Sequence, residues 1–122
     1  MEKTGLLSVV IPAYNEEPNI PLAIQAIGSA LARENIPYEL LFVDDGSKDN
    51  TWACNQTQAK GDPHVRGVSF SRNFGKEAAI FAGLAQARGD CAAVIDCDLQ
   101  HPPEKLAEMY HLWQQGYQVV EG

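Results

Sequence analysis

Short apolar runs separated by helix-length segments constrain this chain more than any other feature. The runs lie at residues 7–12 (LSVVIP), 38–43 (YELLFV), 65–71 (VRGVSFS), 91–95 (CAAVI) and 117–120 (YQVV), and each reads as a β-strand. Between the first two, Ile20, Ile24, Ile27 and Leu31 fall on one helical face, with Asn19 as the expected N-cap and Pro21 tolerated in the first turn. Residues 50–60 are polar and weakly patterned. Residues 76–87 are rich in alanine and stop at Gly89, and a fourth helix starts near Pro103 and ends before Gly116. Strands and helices alternating in this way pack as a mostly parallel sheet with helices on both faces and right-handed crossovers. The expected fold class is α/β.

Size and charge narrow the partners. With 122 residues, 45% of them hydrophobic, the chain can bury one core but is short for two, so residues 1–122 are expected to form one domain. A net charge of −7 argues against nucleic acid or anionic lipid as the main partner, because neither polyanion is drawn to an acidic field. Cys54, Cys91 and Cys97 leave one thiol over after any pairing, which fits a reduced, cytoplasmic compartment. The first residues hold too short an apolar stretch for a signal peptide, and no run approaches the roughly 20 apolar residues of a membrane helix. The chain as given is expected to be soluble. A strand-like YQVV with no helix after it suggests a piece of something longer.

In open α/β sheets, ligands bind outside the carboxyl ends of the strands. After the first strand comes AYNEE, after the second DDGSKDNT, after the third RNFGKEA and after the fourth DCDLQHPPE, whereas the opposite ends carry the plainer ENIP, KGDPH and ARGD. Loops are polar in any case, so one such cluster means little. Four on one rim point to a site.

The fourth cluster is the most specific. If the chain stays extended beyond Ile95, then Asp96, Asp98 and Gln100 project to one side while Cys97 and Leu99 point to the other. Two carboxylates this close raise each other's proton affinity unless a cation lies between them, and hard oxygen donors suit Mg²⁺ or Mn²⁺. Zinc is the rival through Cys97 and His101, but no paired-cysteine spacing supports it. The plainer alternative has Asp98 capping the following turn and Asp96 solvated. Because Mg²⁺ usually couples carboxylates to substrate phosphates, a phosphorylated ligand follows, with Arg72 and Lys76 as cations to hold it. Asp44 and Asp45 suit base N–H groups or ribose hydroxyls, and Ser47 or Asp49 is available as a helix cap. Tyr14 offers a ring for stacking, beside Asn15 and Glu16.

Taken together, VVIPAYNEE, VDDGSKDNT, SRNFGKEAAIFAGL and DCDLQHPPE resemble the N-terminal nucleotide-sugar-binding half of family 2 inverting glycosyltransferases of the Rossmann-like GT-A fold, most of all those using polyprenyl phosphates. The resemblance implies that Pro12, Tyr14 and Glu16 line a nucleotide pocket with Val43, Asp44 and Asp45 near the base and ribose. It also implies that Asp96 and Cys97 lie beside the ribose and diphosphate, and that Asp98 and Gln100, with Asp96, hold the metal. Asn15, Ser47, Arg72 and Lys76 complete the expected donor site, and Asn73 matches the same segment. Cys97 departs from the small Ala or Gly more usual in this motif. The acceptor region, the base carboxylate and the C-terminal membrane helices of such enzymes are expected beyond residue 122.

The implied reaction is displacement at the anomeric carbon of a UDP- or GDP-sugar by a polyprenyl phosphate, with inversion, at the cytoplasmic face of a membrane, in the synthesis of cell-envelope glycans. A chain carrying only the donor half is expected to turn over little. Rival readings are a transferase with a saccharide acceptor, a receiver-like module using VDDGS, and an aspartate phosphohydrolase using DCDLQ.

Overall fold

The computed structural model describes residues 5–116, so the strand expected at residues 117–120 lies outside the described residues. Four strands, β1 (Leu7–Ala13), β2 (Tyr38–Asp44), β3 (Val65–Ser69) and β4 (Cys91–Val94), form a wholly parallel sheet in the order β3-β2-β1-β4. The helices are α1 (Ile20–Arg33), α2 (Thr51–Gly61), α3 (Lys76–Gln86) and α4 (Glu104–Gln114), with a 3₁₀ turn at Glu17–Asn19 before α1. None of the described helices is long and apolar enough to cross a membrane.

Both faces of the sheet are covered, as the near-continuous apolar character of β1 and β2 requires. On one face Leu7, Val9 and Ile11 of β1 and Leu40 and Phe42 of β2 pack against Ile20, Ile27 and Leu31 of α1 and Leu106 and Tyr110 of α4. On the other, Val10 and Val43 meet Ala79 of α3. The α2 sequence shows no apolar stripe because its fully buried side chains, Thr51 and Asn55, are polar.

Three local expectations are corrected. Asn19 is not a side-chain cap: it already has helical φ and ψ, and its amide donates to Glu16 Oε1 at 2.7 Å. Gly89 does not end α3, which stops at Gln86 with Ala87 extended. Gly89 is needed for space instead, since a Cβ there would meet Leu6 O and Ser8 Oγ, each at 2.5 Å. The chain after β4 is also not extended: the Leu99 N–H donates to Asp96 O at 3.0 Å, and Leu99 adopts a left-handed φ of 55°.

Candidate functional site

The sheet order creates an opening. The α3 crossover carries the chain from edge strand β3 across one face to β4, while α1 and α2 lie on the other, so the strand order reverses between β1 and β4. Pairing between β1 and β4 ends at Val10↔Val94, whereas β1 continues beside β2 to Ala13↔Asp44. The carboxyl end of β1 is thus uncovered on the β4 side. A cavity of about 300 Å³ fills that gap, lined by Pro12, Ala13, Tyr14, Glu16, Asp45, Lys76, Asp96, Cys97, Asp98 and Gln100. Its size is at the lower end of small-molecule sites.

Most residues singled out from sequence meet here. Asn15, Val43, Asp44, Ser47 and Arg72 do not line the cavity, and each has another place. Val43 is fully buried beneath α3, and Arg72 lies over the Phe74 ring, 4.9 Å from its centroid. Asp44 is buried, accepting from the Ser47 N–H at 3.1 Å and from Ser69 Oγ at 3.4 Å. Asn15 and Ser47 lock the first rim loop to the second. Ser47 Oγ accepts from the Asn15 N–H at 2.8 Å, and Asn15 Oδ1 accepts from the Lys48 N–H at 2.8 Å. The left-handed φ of 53° at Asn15 is one that asparagine tolerates well. Thr51 Oγ1 adds a bond from the Glu16 N–H at 2.9 Å. Asp49, rather than Ser47, serves the start of α2, accepting from the Thr51 N–H at 2.9 Å.

Asp45 reaches the cavity but is mostly engaged elsewhere. It is 4% exposed, and its carboxylate accepts from the Phe74 N–H at 2.8 Å, the Gly75 N–H at 3.1 Å and Asn73 Nδ2 at 3.2 Å. These bonds fix the loop that leads into α3 and so set the direction in which Lys76 leaves the helix.

The turn at residues 96–99 brings Asp96, Asp98 and Gln100 to one cavity, although by a different route from an extended strand. Lys76 Nζ lies 2.6 Å from Asp96 Oδ1, and Gln100 Nε2 donates to Asp98 Oδ2 at 3.0 Å. Each carboxylate therefore has a donor of its own. Cys97 is 1% exposed and packs in the core, yet it also lines the cavity and does not simply point away. Burial, with the neighbouring Glu16 and Asp98 carboxylates, pushes its thiol up to about 12, so it stays protonated at neutral pH.

Among the described residues, no three His, Cys, Asp or Glu side chains converge as a metal cluster. Two carboxylates and an amide on one turn fit a hard divalent cation that takes its remaining ligands from phosphate and water. Ala13 is the lining residue the sequence reading missed. Only its place between Pro12 and Tyr14 marked it.

The sequence matches the family described as "Glycosyl transferase family 2" over residues 8–122. It is 45% identical over 113 residues to the "Uncharacterized glycosyltransferase YkcC" of Bacillus subtilis (strain 168), covering 93% of this chain and 35% of that protein. It is 40% identical over 121 residues to the "Undecaprenyl-phosphate 4-deoxy-4-formamido-L-arabinose transferase" of Yersinia enterocolitica, covering 98% of this chain and 37% of that protein. Among solved structures, the mannosyltransferase PcManGT from Pyrobaculum calidifontis in complex with GDP-Man and Mn²⁺ superposes with a TM-score of 0.74 at 26% identity, over 90% of this chain and 33% of that one. The Mycobacterium tuberculosis glucosyl-3-phosphoglycerate synthase bound to Mn²⁺, UDP and glucosyl-3-phosphoglycerate gives 0.70 at 29% identity, over 91% and 40%. This chain thus spans only 35% and 37% of the length of those two curated relatives.

Proposed function

Because the chain belongs to glycosyl transferase family 2, we propose that it is the part of a hexosyltransferase that binds a nucleotide-diphosphate sugar. The observation that carries this reading is the meeting of Tyr14 and Glu16 from the end of β1 with Asp96, Asp98 and Gln100 from the turn after β4, in one cavity.

In this reading the nucleoside lies along Pro12, Ala13 and Tyr14, whose half-exposed ring is free to stack on a base. The diphosphate lies toward residues 96–100 and Lys76. A Mg²⁺ or Mn²⁺ ion held by Asp96, Asp98 and Gln100 would supply Lewis-acid neutralisation of the diphosphate as it leaves. The solved relatives named with Mn²⁺ support this choice of ion. Asp45 and Asn15 act by holding the rim loops, the first around residues 73–75 and the second around residues 47–49.

The acceptor we propose is a polyprenyl phosphate, supported by the printed name of the Yersinia relative. A phosphate is already ionised near neutral pH, so attack on the anomeric carbon makes little demand on a general base. Displacement opposite the leaving diphosphate inverts that carbon. The receiver-like reading rests on the aspartates of VDDGS, but Asp44 and Asp45 are buried and carry internal hydrogen bonds.

Calorimetry against UDP- and GDP-sugars tests the proposal. Binding of one nucleotide class that depends on Mn²⁺ and is lost in Asp98→Ala is expected. Binding indifferent to Mn²⁺, or unchanged when both Asp98→Ala and Gln100→Ala are made, would show the assignment of these residues to be wrong.

A further inference from the structure

We propose that Lys76 is a resident counter-cation for Asp96, exchanged for the divalent ion when the nucleotide enters, so that metal binding is coupled to nucleotide binding. The proposal rests on the donor-site reading above and adds to it an order of events.

Asp96 and Asp98 flank one residue in a tight turn and need positive charge nearby. Lys76 supplies it, with Nζ 2.6 Å from Asp96 Oδ1. Among the described residues, Asp98 receives the neutral Gln100 amide. Helix stability does not account for a lysine at this position. It is the first residue of α3, where the positive end of the helix dipole disfavours a cation. Its direction is set from outside the helix, by the Asp45 carboxylate gripping the Phe74 and Gly75 amides just before it.

The pair is also built to open. The Lys76 side chain is 60% exposed and that of Asp96 31%, so the ion pair is partly screened and weak, and the lysine stem is flexible. A divalent ion arriving alone must either displace the ammonium or share a carboxylate with it, against charge repulsion. A diphosphate arriving with the metal removes that penalty, because the released ammonium can pair with a phosphate oxygen. Coupling of this kind is reciprocal: the nucleotide tightens the metal by the same factor as the metal tightens the nucleotide.

The test is Mn²⁺ binding, followed by loss of the aqueous Mn²⁺ electron-spin-resonance signal, with and without UDP or GDP. Lys76→Met should tighten Mn²⁺ in the absence of nucleotide by roughly fivefold or more, and should shrink the enhancement that the nucleotide brings. Lys76→Arg, which keeps the cation, should behave as wild type. Lys60→Met, the same charge change on exposed α2, should leave Mn²⁺ affinity unaltered. If nucleotide still binds with Mn²⁺ but Lys76→Met leaves nucleotide-free Mn²⁺ affinity unchanged or weaker, the counter-cation role is overturned and the donor site stands. If the wild-type protein binds neither UDP nor GDP with Mn²⁺, the donor-site reading fails, and the coupling with it.

Discussion

Glu39 shows how a charge far from the cavity holds the sheet together. Buried at the amino end of β2, it accepts from Ser8 Oγ at 2.6 Å, the Arg88 N–H at 2.7 Å and Arg66 Nη1 at 2.6 Å, joining β1, β2, β3 and the segment before β4. Burial alone would raise its pKa, but the bonds from Ser8, the Arg88 amide and Arg66 outweigh it and the pKa is lowered. The carboxylate therefore adds stability above its unfolded value near 4.5, and loses it as pH falls below that value through the depressed folded one. We predict that Glu39→Ala lowers stability by about 2–3 kcal/mol at neutral pH and flattens the decline in melting temperature between neutral and acid pH, measured by thermal denaturation. Cys97 gives the opposite case. Its thiol is protonated and packed, so Cys97→Ala should leave the nucleotide dissociation constant within about twofold in calorimetry, since only packing is lost. At this scale the sequence made Asp96, Asp98 and Gln100 legible, because a strand-end motif keeps them within five residues. The internal duties of Asp45 and Asn15 were not legible. Their partners lie about thirty residues away, and no local pattern encodes such pairs.

Among the elements, α3 brings Lys76 to the cavity. Its alanine-rich sequence announced a helix, but not how near it lies to the sheet. Gly83 faces Val10 and Val43, and a Cβ there would collide with Val10 Cγ1. The closest approach of α3 therefore depends on a residue whose helix propensity is poor. We predict that Gly83→Val lifts α3, costs about 1–3 kcal/mol in denaturant unfolding, and weakens nucleotide binding by displacing Lys76, whereas Ala85→Val on the exposed side does neither. Asn19 and Gly89 have the composition of caps, yet a local bond to Glu16 and a close approach to Leu6 and Ser8, respectively, decide their roles. The turn after β4 was missed because nothing in the residue types of 96–99 marks Leu99 for a left-handed φ.

For the whole molecule, the alternation of strands and helices was enough to give a parallel α/β sheet, and the sheet order then decides where chemistry is available. Among the described residues, the reversal between β1 and β4 leaves a crevice at the carboxyl ends, reached by residues of β1, α3, the loop after β2 and the turn after β4. At the opposite rim, Glu39, Ser8, Arg66 and the backbone of residues 86–89 are joined by hydrogen bonds. We propose that this crevice is where a divalent ion binds. Nuclear magnetic resonance with substoichiometric Mn²⁺ and UDP or GDP tests it most directly, because the paramagnetic ion broadens the amides nearest to it. The account predicts selective broadening at residues 96–100, Tyr14 and Lys76, with Arg66 and Gly89 on the far rim left sharp. Broadening centred on the far rim or on the acidic side chains of α4, with residues 96–100 unaffected, would contradict it.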